Sequence, residues 1–245
     1  MSLALAAAAP SGGVVIPNFN AHVDKCVRDN GTFCWHWFSG HWSSVFQPAL
    51  VQHIWLTAIA VGVGFVISLG LALLAYWQGW LEGTIGTLSG VLYTIPSLAL
   101  FQILVPITGI SVLTVEIPLA SYTLLILFRN TLGGLRGVPD DVREAARGMG
   151  LSRRQALLRV ELPLAVPAMI AGLRVATVTV ISLATIAAYI VDKGLGSPIF
   201  QAIQSPFSTQ FIAAGGLAVA LALLADLLLV GAGRVLTPWA RARAV

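Results

Sequence analysis

The sequence predicts an all-α integral membrane protein with about five transmembrane helices. Of its 245 residues, 57% are hydrophobic and only 10% are charged, whereas soluble domains carry about 25% charged residues. The mean hydropathy of +0.87 agrees with this shortage of charge. Most of the folded surface is therefore expected to face lipid rather than water.

Five apolar segments are long enough to cross a hydrocarbon layer about 30 Å thick. They cover residues 50–77, 84–106, 112–128, 165–190 and 211–235. Each is expected to be a helix, because lipid offers no hydrogen-bond partner to an open backbone. The segments predict a transmembrane domain over residues 50–245, preceded by an extracytoplasmic segment over residues 1–49.

The basic residues predict the orientation of the chain. Eleven of the 14 lie in the connection between the third and fourth spans, on its flanks or near the C-terminus. These are Arg129, Arg136, Arg143, Arg147, Arg153, Arg154, Arg159, Arg174, Arg234, Arg241 and Arg243. Because positive charge collects on the cytoplasmic side, the C-terminus and the loop over residues 130–164 are predicted to be cytoplasmic, and the N-terminus outside.

The long polar connection itself predicts a helix, a turn and a second helix. Proline and two aspartates at 139–141 suit a first helical turn. Gly148 and Gly150 are expected to end that helix, and Ser152 with Gln155 has the spacing of a capping box for the next one. Such a hairpin is stiff enough to transmit force.

The same connection carries a spaced motif. Its members are Glu144, Ala145, Ala146, Gly150, Leu162 and Pro163, with Val160 where the pattern has isoleucine. The motif resembles the EAA loop of ABC-importer permeases, which contacts the partner ATPase. The resemblance implies coupling to an ATPase through Glu144, Ala145, Ala146, Gly150, Leu151 and Pro163.

Four further segments narrow the resemblance to permeases for the osmoprotectants glycine betaine, choline and carnitine. Residues 93–100 are similar to their IPSLAL region, 127–131 to their LRNT segment, 171–177 to the start of their next span and 194–196 to their GGLG segment. The resemblance covers residues 50–235 and extends to the methionine-permease branch. It implies the type I importer fold in a bacterial cell membrane.

In that family two permease subunits, identical or paralogous, associate with two ATPases and an extracytoplasmic substrate-binding protein. The chain has no Gly-x-x-x-x-Gly-Lys-[Ser/Thr] motif, so it is expected to be a transport subunit and not an enzyme. No cofactor, metal or nucleic acid is expected on this chain, and ATP and Mg²⁺ are expected on the ATPase. A channel or secondary transporter is the rival class, disfavoured because no inverted repeat is evident.

Polar and glycine residues within or beside the spans are candidates for the translocation path or its gate. They are Tyr93, Thr94, Pro96, Ser97, Glu116, Gly194 and Gly196. Glu116 either faces a cationic substrate or the docked binding protein, or is an interfacial carboxylate in water. Gly194 and Gly196 form either a gate or a plain external turn.

Two further charges fall inside predicted spans, where ionisable residues are functional hypotheses by default. Arg174 and Asp226 are expected at similar depth. They either pair, which lowers the cost of burying each charge, or extend separately to the interface.

The N-terminal segment resembles no family. Trp35, Phe38, Trp42 and Val45 recur at helical spacing and predict an interfacial helix. Residues 1–10 lack a basic region, so no cleaved signal peptide is expected.

The only two cysteines, Cys26 and Cys34, lie in this segment. They either form a disulfide, in keeping with an oxidising exterior, or join His22, His36 and His41 in a zinc site whose spacing matches no common pattern.

Overall fold

The computed structural model describes residues 24–241; predictions for residues 1–23, including His22, lie outside that range. The described part is helical and contains no β-strand, which confirms the all-α prediction. The helices are α1 (Lys25–Arg28), α2 (Trp35–Gly40), α3 (Gln47–Trp77), α4 (Leu81–Thr94), α5 (Ser97–Thr108), α6 (Val112–Arg136), α7 (Asp140–Gly148), α8 (Arg153–Ala156), α9 (Leu162–Ala187), α10 (Gly196–Gln204), α11 (Ser208–Leu236) and α12 (Pro238–Arg241). Two π-helical stretches, Trp42–Phe46 and Leu157–Glu161, lead into α3 and α9.

Four of the continuous helical segments in residues 24–241 are long and apolar enough to cross a membrane. They are Trp42–Trp77, Val112–Arg136, Arg153–Ala187 and Ser208–Leu236. The first begins before the predicted segment boundary at residue 49. The connection between Val112–Arg136 and Arg153–Ala187 covers residues 137–152 and is shorter than the loop expected over 130–164. The helices continue past the predicted boundaries because an arginine in a helix can extend its side chain to the interface without ending the helix.

The second predicted span, 84–106, is not one straight helix. It consists of α4 and α5, which meet at an angle of 95°. Ile95 has extended backbone angles (φ −66°, ψ 129°) and is followed by Pro96. Proline removes a helical N–H and disfavours helical geometry in the preceding residue. The first helix therefore ends at Thr94, and a new one begins at Ser97.

The broken pair nevertheless crosses the bundle. Near the start of α4, Glu82 forms an ion pair of 2.5 Å with Arg136 at the end of α6. At the end of α5, the Thr108 hydroxyl lies 2.7 Å from that of Thr114 at the start of α6. The α4–α5 pair therefore runs from one end of α6 to the other. Counted as one span, it brings the crossings within residues 24–241 to five.

The centre of the bundle is formed by α3, α6 and α9, here called the core bundle. A Cβ on Gly64 would collide with Thr123, and one on Gly172 would lie 2.7 Å from the Asn130 Cβ. Such small residues let helix backbones approach closely, a main source of helix association in membranes. One buried apolar cluster is formed mostly by the same three helices: Ala60, Phe101, Val115, Leu119, Val180, Ala184, Ala187 and Val191.

The N-terminal helices are attached to the start of α11. The Asn30 carboxamide accepts a hydrogen bond from the Ser208 N–H (2.9 Å) and donates one to the Pro206 carbonyl (3.3 Å). The Cys34 N–H donates to the Thr209 hydroxyl at 2.8 Å. These bonds hold the predicted aromatic helix, α2, at the end of the bundle opposite α7.

Candidate functional site

Helix α7, the turn after it and α8 form the projecting loop. The predicted helix–turn–helix is present: α7 starts after an extended Pro139, with acidic residues in its first turn. At α8, the Ser152 N–H donates to Gln155 Oε1 (2.8 Å) and the Gln155 N–H to Ser152 Oγ (3.4 Å). These reciprocal bonds are the expected capping box.

Gly150 makes the turn between the two helices. Its φ is +80°, a left-handed conformation that costs other residues about 1–2 kcal/mol. The Gly150 N–H donates to the Arg147 carbonyl (2.9 Å) and the Leu151 N–H to the Ala146 carbonyl (3.2 Å). A Cβ on Gly150 would meet nothing within 4 Å, so glycine is required here for its backbone conformation and not for space.

The expected coupling residues do not share one surface. Glu144 and Ala145 are exposed, but Ala146 is only 1% exposed. Ala146 therefore packs within this chain and, unlike Glu144 and Ala145, is not exposed to a partner. Met149, 72% exposed at the end of α7, is an apolar residue on this surface that the motif did not include.

Arg143 fastens α7 to the end of α6. Its guanidinium donates to the Leu135 carbonyl (3.0 Å), the Arg136 carbonyl (3.4 Å) and Asp140 (2.8 Å). Both carbonyls lie in the last turn of α6, where carbonyls have no partner within the helix itself. From the sequence alone, Arg143 counts only as one of the cytoplasmic positive charges. Its position three residues after Asp140 is the feature that indicates an ion pair within α7.

A second set of contacts fastens α8 and the π-helical stretch after it to α3. Tyr76 donates a hydrogen bond to the buried Glu161 carboxylate. The Arg153 guanidinium carbon lies 4.9 Å from the centre of the Trp77 ring, within cation–π distance. Pro163 lies in the first turn of α9, beyond these contacts, where it serves the return into the membrane. A displacement of the loop would therefore be passed to α3, α6 and α9.

The break between α4 and α5 presents polar groups near the middle of the bundle. Tyr122, near the midpoint of α6, donates its hydroxyl hydrogen to the Ile95 carbonyl. Tyr93, Thr94 and Pro96 are exposed on the described chain, and Ser97 is half-buried. Non-helical backbone at membrane depth is tolerated where it contacts protein or a water-filled cavity, not lipid. This face is therefore expected to contact a partner protein or a water-filled path rather than lipid.

Below the break lies a depression of about 470 Å³, here called the α4–α6 cleft. Its lining comprises Glu82, Gly83, Gly86, Thr87, Phe128, Arg129, Leu132, Gly133 and Arg136. Three glycines keep it open, because no side chain projects from them. The cleft continues the face of the break toward the end of the bundle that carries the projecting loop.

The other path candidates lie apart from this face. Gly194 and Gly196 are buried, Gly194 in the turn before α10 and Gly196 as the first residue of that helix. The Leu195 N–H donates to Nδ1 of the buried His53, whose Nε2 lies 3.1 Å from the Ile181 carbonyl. Both contacts are satisfied by a neutral ring with its hydrogen on Nε2. These hydrogen bonds hold the turn against α3 and α9, as expected for a plain external turn.

Glu116 differs from the expectation of an interfacial carboxylate in water. Its side chain is buried at 8% exposure, and neither carboxylate oxygen has a hydrogen-bond partner among residues 24–241. It is not a solvated interfacial carboxylate, and it does not lie on the α4–α6 cleft.

Two pairs of residues for which the sequence left pairing as one alternative are in contact. Arg174 Nε and Nη2 donate to the two Asp226 oxygens at 2.7 and 2.9 Å, which joins α9 to α11. Cys26 and Cys34 form a disulfide with a Cα–Cα distance of 5.8 Å, so neither sulfur is available to a metal. Within residues 24–241 no three His, Cys, Asp or Glu side chains are grouped to hold an ion.

Five crossings, a helix broken at mid-depth and a stiff loop fastened to three crossing helices define a membrane transport subunit that works with a separate protein. The chain belongs to the family of binding-protein-dependent transport system inner membrane components, whose model matches residues 64–239. It is accordingly a multi-pass permease subunit of an ABC importer and not an enzyme, and membership implies ATPase and substrate-binding partners.

Individual relatives agree with this assignment. The chain is 37% identical over 192 residues to the osmoprotectant import permease protein OsmW of Salmonella typhimurium, covering 76% of this chain and 89% of the relative. It is 32% identical over 190 residues to the glycine betaine/carnitine/choline permease protein OpuCB of Bacillus subtilis, covering 76% and 86%. The MetNI methionine ABC transporter in an inward-facing conformation shares the fold, with a TM-score of 0.70, 22% identity and coverage of 79% and 99%.

Proposed function

We propose that this chain is the permease of an importer for a small osmoprotectant such as glycine betaine, choline or carnitine, which crosses by alternating access. The observation that carries a transport path is the polar face at the break between α4 and α5, where Tyr93, Thr94 and Pro96 are exposed at mid-depth, because lipid does not accommodate polar groups or non-helical backbone. The substrate class is supported by the names of the relatives. An amino acid such as methionine is the second candidate, supported by the MetNI fold.

The working assembly contains two permease subunits, identical or paralogous, two ATPases that hold ATP and Mg²⁺, and an extracytoplasmic binding protein. Glu144, Ala145 and Met149 on the projecting loop contact the ATPase. Closure of the ATPases shifts the permease pair between two states, and Arg143 carries that movement to α6. The basic residues support a cytoplasmic loop and C-terminus and an outer N-terminus.

The substrate is tested with the complete complex in liposomes. Glycine betaine, choline or carnitine in the presence of the binding protein is expected to stimulate ATP hydrolysis and to accumulate inside. Methionine is expected to do neither. Stimulation by methionine alone would contradict the osmoprotectant assignment.

The coupling role is tested by Glu144→Lys, with Asp29→Lys as the matched control. Both are exposed carboxylates, but Asp29 lies at the opposite end of the bundle. Glu144→Lys is expected to weaken ATPase association and to abolish substrate-stimulated hydrolysis, whereas the control retains both. Normal coupled hydrolysis in Glu144→Lys would show that this residue does not dock the ATPase.

Orientation is tested with single cysteines at the two ends, because the native pair is disulfide-bonded. In intact cells, a membrane-impermeant maleimide is expected to label Ser39→Cys and not Met149→Cys. The reverse pattern would overturn the orientation.

A further inference from the structure

Glu116 is a buried acid that lacks a partner. It lies in the second turn of α6, at the end of the bundle opposite the projecting loop. Its side chain is buried, and neither carboxylate oxygen has a hydrogen-bond partner within the described residues. A carboxylate removed from water without a counter-ion is costly, so a cation is expected to reach it in some state of the protein.

A second buried oxygen without a partner lies at the same level. Gly64 on α3 contacts Thr123 on α6, and the two helices, as first and third crossings, run in the same direction. Seven residues earlier, on the same face of each helix, are Thr57 and Glu116. The Thr57 hydroxyl is also buried and unpartnered within the described residues. The place between α3 and α6 is therefore polar but holds no positive charge.

Lys193 lies next to this place. It lines a narrow apolar gap between the helix ends together with residues from α3 and α6, among them Leu56, Val112 and Val115. Leu56 immediately precedes Thr57, and Val115 immediately precedes Glu116. The four-carbon stem of lysine is flexible, so its ammonium can turn toward the carboxylate from this position.

His53, a second basic group near this level, is already engaged. It lies one turn before Thr57 on α3, and its ring nitrogens contact the Leu195 N–H and the Ile181 carbonyl. Lys193, by contrast, has no carboxylate within ion-pair distance among residues 24–241. An acid and a base without partners thus lie beside the same gap.

The acid and the base belong to different parts of the bundle. Lys193 follows α9, and the next residue of its turn is fastened to α3, because the Gly194 N–H donates to Gln52 Oε1 at 3.1 Å. Lys193 therefore moves with the ends of α3 and α9, whereas Glu116 moves with α6. The separation of their charges depends on how closely these helix ends approach one another.

We propose that Lys193 and Glu116 form an ion pair in one of the two transport states, where the pair holds the ends of α3, α6 and α9 together. In the state described here the pair is absent, and Glu116 is left buried without a counter-ion. The inference rests on the alternating access of the proposed function and adds a contact that stabilises one of its two states.

The first test measures whether the two positions approach each other during the ATPase cycle. The Glu116→Cys/Lys193→Cys variant of the complete complex is treated with a short bifunctional thiol reagent, without nucleotide and after trapping with ATP and vanadate. Cross-linking is expected in one of the two conditions only. Equal yields in both conditions, or none in either, would overturn the inference. The native cysteines do not interfere, because they are disulfide-bonded.

The control for cross-linking is Glu116→Cys/Lys25→Cys. Lys25 is an exposed lysine on α1, outside the gap, and no cross-link is expected in either condition. A control yield that follows the nucleotide in the same way would also overturn the inference. Cross-linking needs only nucleotide and assembled complex, so it remains decisive if wild type transports no osmoprotectant and the substrate assignment itself fails.

The second test measures the attraction between the charges, with Glu116→Gln and Lys193→Met made singly and together. Losing a hydrogen bond to a charged group weakens an interaction by about tenfold or more, so each single change is expected to lower substrate-stimulated ATP hydrolysis about tenfold. The double variant is expected to match the single ones, because they remove the same contact. Additive losses, or an equal loss in the control Lys25→Met, would show that the two side chains do not act as a pair.

Discussion

The core bundle and the projecting loop of this permease are held together by different forces. In the core bundle, glycine and alanine bring α3, α6 and α9 into contact, as at Gly64 against Thr123. The projecting loop and the π-helical stretch after it are held by individual polar contacts: Arg143 on the carbonyls at the end of α6, Tyr76 on Glu161, and the cap at Ser152.

The difference follows from the solvent around each region. Lipid is as apolar as leucine, so helices within it associate through close fit rather than through the hydrophobic effect. The projecting loop has few apolar residues to bury, and its short helices are marginal without tertiary contacts. We therefore expect the core bundle to fail when its shape changes and the loop to fail when single hydrogen bonds or turn angles change.

The largest effect is expected from Gly64→Leu. The new side chain has no space against Thr123, and overpacking of this kind costs about 3 kcal/mol. A large fall in the melting temperature of the detergent-purified protein would show it. Gly62→Leu is the matched control, because a Cβ there meets nothing within 4 Å; equal melting temperatures for the two variants would disprove shape-controlled packing.

A smaller effect is expected from Arg143→Met, which keeps chain length but removes the hydrogen bonds to α6. The loss is about 2 kcal/mol, typical of bonds to a charged group, and is confined to the loop. Faster proteolysis of residues 137–152 and lower substrate-stimulated ATP hydrolysis are expected, with an unchanged melting temperature. Arg154→Met, an exposed arginine on α8, serves as control. If the two variants behave alike, Arg143 does not fasten the loop.

Gly150→Ala is expected to act through the backbone alone. Its φ of +80° costs alanine about 1 kcal/mol. Gly148→Ala, two residues earlier and inside α7, is expected to stabilise the loop instead, because alanine favours helix. Proteolysis rates of the two variants measure the contrast. A similar rate for both would mean that the turn does not need left-handed geometry.

The smallest effect is expected at the ion pair between α9 and α11, which is partly exposed on the described chain. Arg174→Gln and Asp226→Asn should each lower the melting temperature, and exchange of the two residues should restore most of it. An exchanged variant as unstable as the single variants would mean that the pair contributes no specific attraction.

Several structural details were readable in the sequence because their causes are local. The number of apolar spans follows from hydropathy, the Ser152–Gln155 cap from spacing, and the turn at Gly150 from the residue type that adopts its angles most readily. Pro96 marks the position of the break, but hydropathy alone does not distinguish a continuous helix that contains proline from two helices that meet at 95°. That outcome depends on Tyr122 on another helix, which stabilises the freed Ile95 carbonyl.

The sequence by itself determined that this chain is a helical membrane subunit with a stiff polar loop, because apolar length, charge placement and capping act within one segment of chain. Only the tertiary structure decided that Ala146 packs inward, that Arg143 fastens α7 to α6, and that Arg129 lines an open cleft with no carboxylate among residues 24–241 within ion-pair distance. These properties depend on which helices become neighbours. That choice is made by the fit of small residues between segments distant in sequence, which a linear pattern does not contain.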